Sequence, residues 1–216
     1  EKREKNLRDK VAKQQKELTA LNKKIDNLIA QEIEQARKKA EAEAKRKAQS
    51  QKSTSKSGTT SKSGTKTSTT SWLTAEEKKL SGTFLQNKGR LPVPITGQYQ
   101  IGSKFGKYNV PGLQNVTLDN KGVNYVGKPG ARARCIFDGE VTAVFQFSGA
   151  KNVLVRHGSY ISVYCNLSSV IVKKGQKLKA RDIIGTVAKD DSGNSVLHFQ
   201  LRNETTKLNP EAWIGK

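Results

Sequence analysis

Apolar side chains recur at helical spacing along the first 49 residues. Val11, Leu18, Leu21, Ile25 and Leu28 step by seven, three, four and three, with Gln14 and Glu32 in the remaining seam positions. No Gly or Pro falls in residues 1–49, which are dense in the helix formers Lys, Glu, Gln and Ala. The pattern predicts an α-helical coiled-coil segment over 1–49. A lone amphipathic helix cannot bury such a seam, so a partner helix is expected, from an upstream arm or another chain. Ile29, Ile33 and Ala36 then shift the stripe, and from Arg37 to Lys47 only Ala interrupts the charges, the pattern of a solvated helix face.

The pattern stops at residues 50–71, which are almost wholly Ser, Thr, Lys and Gly, with Ser-Lys-Ser-Gly-Thr at 55–59 and again at 61–65. With nothing apolar to bury, this stretch is expected to be a disordered tether reaching roughly 25 Å. Patterning resumes at Trp72. Thr74-Ala75-Glu76-Glu77 reads as a capping box opening a helix over about 75–88. Pro92 and Pro94 exclude helix next, and short runs rich in Val, Ile, Phe and Tyr follow: 98–105, 133–137, 141–147, 153–157, 161–167, 183–188 and 196–201. Glycines punctuate them. Residues 72–216 are therefore predicted to be mainly β, an antiparallel sandwich or partly open barrel with one leading helix.

Charge changes the picture of partners more than that of the fold. The chain of 216 residues has 40 Lys or Arg against 19 Asp or Glu, a formal charge of +21. It is basic in all three segments: 15 basic to 9 acidic side chains in 1–50, 4 to 0 in 51–71, and 21 to 10 in 72–216. Such a surface attracts polyanions without choosing among them. Nucleic acid is the weakest reading, since neither an aromatic stacking pattern nor a recognition-helix motif is present. No apolar run approaches the roughly 20 residues of a membrane span. The lack of Met and of a signal peptide reads as a mature fragment.

Candidate chemistry is sparse. His157, His198, Cys135 and Cys165 are ligand types, but their spacing matches no compact zinc pattern, and Cys165 sits inside an apolar strand. Asp190-Asp191 and Glu76-Glu77 fall in a loop and on a helix, not in a catalytic pair. No Gly-rich phosphate loop is present. Composition alone leaves a basic β-domain behind a helical stalk, with no cofactor implied.

The order of motifs over 84–214 nevertheless resembles the LytM domain. Asn87-Lys88-Gly89-Arg90-Leu91-Pro92, Lys104-Phe105-Gly106, Gly122-Val123 and Asp138-Gly139-Glu140-Val141 come first. Val153 to Gly158, Val163 to Ser168, Lys173-Lys174-Gly175 and Ile183-Ile184-Gly185 follow, then Leu197-His198-Phe199 and Leu208-Asn209-Pro210-Glu211-Ala212-Trp213. The resemblance implies zinc endopeptidases that cut peptidoglycan cross-bridges, together with relatives that have lost the metal.

The departures decide between those two. Where the family has a zinc-binding His and, four residues on, Asp, this chain has Asn120 and Asn124. The family's catalytic His before Leu-Ser is Asn166, the first His of its His-x-His strand is Val196, and only His198 remains. One imidazole cannot hold a catalytic zinc, which needs three protein ligands. The expectation is a degenerate domain without metal or catalytic residues, in which His157 is structural.

Coil, tether and metal-less LytM domain together resemble murein hydrolase activators of the EnvC kind. The resemblance implies a peptidoglycan N-acetylmuramoyl-L-alanine amidase as partner, relieved of autoinhibition during daughter-cell separation. It also implies an inner-membrane, ABC-transporter-like divisome complex engaged by the coiled coil, and residence in the periplasm of a Gram-negative cell envelope. A helix preceding the domain would cover the amidase groove, either the one ending near Lys47 or the one at 75–88. A peptidoglycan-binding module without activator role is the alternative. The former catalytic cleft becomes the partner groove, with Arg202 first, then His198, Lys121, Asn124, Tyr164 and Asn166 as contacts. In an oxidising compartment Cys135 and Cys165 could also pair, if their Cα atoms lie about 5.5 Å apart.

Overall fold

The computed structural model describes residues 2–51, 73–109 and 116–215. Helix α1 spans Lys2–Gln51, so it covers the seam and ends just past the expected boundary. The tether expected at 50–71 lies, from residue 52 on, outside the described residues. Helix α2 spans Ala75–Gln86 and opens with the expected capping box. Thr74 accepts from the Glu77 amide, and the Glu77 carboxylate accepts from the Thr74 amide at 2.8 Å.

Twelve strands follow: β1 (Tyr99–Ser103), β2 (Gly106–Asn109), β3 (Thr117–Asn120), β4 (Val123–Gly127), β5 (Arg132–Arg134), β6 (Gly139–Phe147), β7 (Ala150–His157), β8 (Tyr160–Val170), β9 (Lys177–Leu178), β10 (Ile183–Val187), β11 (Ser195–Asn203) and β12 (Thr206–Leu208). Ten of them form one antiparallel sheet. Its main path runs β1-β4-β11-β8-β7-β6-β9, with β10 joining β8 to β5 and β12 on β11. A separate hairpin, β2–β3, stands beside it. The mainly antiparallel β-domain behind a long helix is as expected. The strand expected at 98–105 is shortened to β1, and β2 begins just beyond it at Gly106, whose φ is 105°.

The central strands are buried on both faces. Tyr160 to Cys165 of β8 are all buried, so this strand reads as a nearly continuous apolar run without alternation. One face carries Val153, Val155, Tyr164, Leu167, Leu197, Phe199 and Leu201 into the larger core. The other carries Leu154, Ile161, Val163 and Cys165 against Ile25 and Ile29 of α1. Leu21, Leu28 and Ile33 of α1 pack at the margin of this cluster. The later part of the seam, Leu21, Ile25 and Leu28, thus finds its partner in the chain's own β-domain. Ile25 and Ile29 are both 0% exposed, and each such burial contributes about 2 kcal/mol.

Helix α2 seats elsewhere. Its Phe84 stacks on Tyr160 at 4.6 Å and lies 5.2 Å from His157 and 5.5 Å from Trp213. His157 is structural: its ring nitrogens meet Asp138 O at 2.7 Å and Ser162 Oγ at 2.8 Å, and burial lowers its pKa to about 4. The cysteine pairing is not formed. Cys135 lies in the larger core and Cys165 in the cluster under α1, both free, with burial pushing both thiols up to about 12.

Candidate functional site

Strand β11 positions the site by simple alternation. Leu197, Phe199 and Leu201 point into the larger core, which leaves His198, Gln200 and Arg202 on the face covered by α1. Strand β4 adds Asn124, which sits opposite His198 in the register. Asn124 and His198 are therefore cross-strand neighbours on this face.

Hydrogen bonds run along this row and into the helix. His198 Nδ1 lies 2.6 Å from Asn124 Oδ1, and Gln200 Nε2 lies 2.9 Å from His198 Nε2. An amide nitrogen can only donate, so His198 Nε2 accepts and its Nδ1–H donates to Asn124. Burial, and then the nearby Arg202, lower the His198 pKa to about 4, which keeps the imidazole neutral as this pattern requires. Gln200 Nε2 also donates to Asn22 Oδ1 of α1 at 2.8 Å. Gln200 Oε1 accepts from Arg202 Nη2 at 2.8 Å. Arg202 Nη1 is salt-bridged to Asp26 of α1, and Lys207 Nζ reaches the other Asp26 oxygen at 3.2 Å.

These residues do not fit a zinc ion. Both ring nitrogens of His198 are committed to carboxamides, and the neighbouring Asn124 offers a neutral oxygen where a carboxylate would be needed. Among the described residues no group of three His, Cys, Asp or Glu side chains converges. Asn120 is likewise used structurally. Its Nδ2 donates to Ser103 Oγ and Lys104 O, both at 3.0 Å, and its Oδ1 accepts from the Gly122 amide at 3.2 Å.

The remaining expected contacts divide. Lys121 lies at the groove rim, paired with Asp119. Asn166 takes a left-handed backbone, φ 68°, and donates to the Val196 carbonyl at 2.7 Å. Tyr164 is a correction: it points into the larger core, 0% exposed, where its hydroxyl accepts from the Ile136 amide at 3.0 Å. Its place on β8 is one step out of phase with Val163 and Cys165, which face α1. Arg202 is not a free cation awaiting a ligand either; it is 0% exposed and held by α1.

The sequence reading missed Gln200, Lys207, Asn22 and Asp26. Gln200 was detectable, since it lies between His198 and Arg202 on one strand face. Asn22 and Asp26 sit four apart and flank Ile25 within the apolar stripe, a polar pair on a buried face that itself calls for polar partners. Beside α1 the groove keeps an open cleft of about 460 Å³, lined in part by Asn22, Asp26, Ser103, Asp119, Asn124 and Lys207. Of the two helices expected as covers, α1 lies on this face and α2 does not.

Comparison with known proteins follows the same outline. Residues 119–210 match the family model described as peptidase family M23. An uncharacterized protein of Neisseria meningitidis is 32% identical over 66% of this chain and 24% of its own length. The murein hydrolase activator NlpD of Escherichia coli is 28% identical over 44% of this chain and 26% of its own. The chain spans between 24% and 39% of the length of the first relatives it matches. Among solved structures, the SpoIIQ-SpoIIIAH pore-forming complex superimposes with a TM-score of 0.51 at 20% identity, over 60% of this chain and 93% of the other. A zinc-containing peptidase of Vibrio cholerae gives 0.50 at 23%, over 60% and 40%. Both likenesses concern the fold. The match to peptidase family M23 takes in strands β4 to β12, which carry Asn124, His198, Gln200 and Arg202.

Proposed function

We propose that this chain is a non-catalytic activator of the EnvC kind. Its M23 domain would bind a peptidoglycan N-acetylmuramoyl-L-alanine amidase through the groove along β11, and α1 is the removable cover of that groove. The observation that carries this reading is the occupation of Gln200, Arg202 and Lys207 by Asn22 and Asp26, in a cleft whose metal positions are Asn120, Asn124 and His198. Relatives named murein hydrolase activators support it.

The cover is built to come off. Asp26 keeps 44% of its side chain exposed, and Arg202 Nε has no hydrogen-bond partner among the described residues. An incoming partner that satisfies the guanidinium better can therefore displace α1. The helical segment would hand this release to an inner-membrane, ABC-transporter-like divisome complex in the periplasm of a Gram-negative bacterium, and peptidoglycan is a further partner of the basic domain.

Amidase stimulation tests the reading with two substitutions of opposite sign. Asp26→Ala loosens the cover and leaves the groove intact, so stimulation should rise. Arg202→Glu also loosens the cover but removes the groove's cation, so stimulation should vanish. If Arg202→Glu stimulates as well as the parent chain, the binding surface lies elsewhere. Should both chains bind sacculi and neither stimulate, the domain is a wall-binding module instead.

A further inference from the structure

The β-domain has a second distinctive surface, across the larger core from α1. Strands β5, β10 and β8 form a ribbon that turns Ala133, Ile184, Val187, Leu167 and Val172 inward. The alternate positions face outward. Arg134 pairs with Ile183, Arg132 with Thr186, and Thr186 with Ser169, which places Arg132, Arg134 and Ile183 on one outer face. Ile171 continues that face from the end of β8, its amide donating to Ile184 O at 3.0 Å. It is 69% exposed, more than any other large apolar side chain among the described residues.

Arg181 completes the cluster at the ribbon's end. It holds a left-handed backbone, φ 74°, uncommon for a residue other than glycine, with its amide bonded to Cys135 O at 2.7 Å. Arg134 is half-buried and oriented by its Nε bond to Val93 O at 2.8 Å. Burial, and then the charge of Arg181, make the Arg134 cation costlier, while the Tyr99 phenol acts the other way. Neither Arg132, Arg134 nor Arg181 forms a salt bridge among the described residues. The adjacent Asp182 is turned into its own loop, accepting from the Lys179 amide at 2.8 Å. Three guanidinium groups on one face, none of them salt-bridged among the described residues, are an arrangement that an anion would relieve.

We propose that this outer ribbon face docks on an anionic phospholipid surface. Arg132, Arg134 and Arg181 take lipid phosphates, which their planar forks fit bidentately. Ile171 enters the interfacial layer, and Tyr99, 38% exposed and within electrostatic reach of Arg134, sits at headgroup level. The exposed isoleucine favours a bilayer over a soluble polyanion, which offers it no apolar phase. Docked this way, the domain turns α1 and the β11 groove away from the membrane. The inference does not rest on the activator reading.

Sedimentation of the full chain with vesicles tests it, comparing phosphatidylglycerol–phosphatidylethanolamine vesicles with phosphatidylcholine vesicles. Because the whole chain is basic, the decisive comparison is between charge-matched variants. Arg132→Gln/Arg181→Gly/Ile171→Ser alters three exposed side chains, and glycine suits the backbone at 181. It should lower the partition onto anionic vesicles about 25-fold, at roughly fivefold for each cation removed. Lys45→Gln/Arg46→Gln, on exposed positions of α1, should leave it nearly unchanged. Equal losses in the two variants would overturn the proposal, as would a parent chain that ignores anionic vesicles. So would a ribbon variant that loses only its retention on sacculi, which would assign a wall polymer. Saturation by inorganic phosphate with no vesicle binding would assign a free-anion site and overturn it too.

Discussion

Asp26 and Arg202, 176 positions apart in the chain, are salt-bridged where α1 crosses β11, and Lys207 holds the second carboxylate oxygen at 3.2 Å. Burial pushes the Asp26 carboxyl up, but the hydrogen bonds and charges of Arg202 and then Lys207 outweigh it and hold the group below its usual range. This pair fixes the helix in register over the groove, while Ile25 and Ile29 supply most of the contact.

Asp26→Ala should therefore lift α1 from the sheet without unfolding the β-domain. Leaving the Arg202 guanidinium buried without its carboxylate costs about 2 kcal/mol, roughly a thirtyfold shift towards the open form. Cys165 reports the opening, because it lies under Ile25 and Ile29 while Cys135 stays in the larger core. Maleimide labelling of Cys165 should accelerate and that of Cys135 should not. Equal protection of Cys165 in the parent and the variant would show that the ion pair does not hold the helix.

Acid should act on the same contact. The Asp26 pKa is lowered in the docked state, so its contribution is present above the ordinary aspartate value near 4 and is lost as pH falls through the docked one. Cys165 labelling, corrected for the falling thiolate fraction, should rise in this range for the parent chain. It should rise less for Asp26→Ala, in which only the protonation of His157 and His198 remains to loosen the contact.

Truncating the apolar contact tests the other half of the cover. Ile25→Ala and Ile29→Ala each remove a fully buried side chain and should weaken docking by about 3 kcal/mol. Hydrogen exchange should then speed up across the middle of α1, while amides of β7 and β8 keep their protection. Loss of protection in those strands as well would mean that α1 is an integral layer of the domain.

Much of this was legible in the sequence because local rules and the global fold agree. The capping box at Thr74–Glu77, the glycine punctuation and the apolar runs 141–147, 153–157 and 161–167 each named their element. The seam over Val11 to Leu28 was legible as a stripe needing a partner, but helical periodicity does not say whether that partner is a helix or a sheet. Pairing α1 with β8 and β11 joins residues more than 120 apart, and no local pattern encodes that. Tyr164 was misplaced for a related reason. On a strand buried on both faces apolar residues do not alternate with polar ones, so the sequence does not reveal which way each side chain points.

Gly158 is a position where the backbone itself can be tested. It has φ 72°, and a Cβ there would lie 2.2 Å from Ser81 Oγ and 2.4 Å from Glu77 O, so α2 would have to move. Gly158→Ala should lower thermal stability by about 2 kcal/mol or more, through the left-handed backbone and the displaced helix. The Ser159 amide, which donates to Ser81 Oγ at 2.8 Å, should then exchange faster. An unchanged melting temperature would mean that α2 is not clamped at this point.

The two histidines make the whole domain acid-sensitive before its carboxylates titrate. His157 and His198 are buried and neutral, with pKa values lowered to about 4. The unfolded chain takes up protons at both near pH 6.5, whereas the folded chain resists until about pH 4. Between those limits the unfolded state binds more protons, so stability must fall as pH falls, by up to about 1.4 kcal/mol per pH unit for each histidine. Urea denaturation at pH 7, 6 and 5 should show midpoints dropping in step. His198→Gln should halve the slope, because only His157 then titrates in the window. Removing Asp26 should not change the slope, since a carboxylate with a lowered pKa titrates below it. A midpoint independent of pH between 7 and 5 would mean that the histidines titrate normally and that His198 is not locked between Asn124 and Gln200.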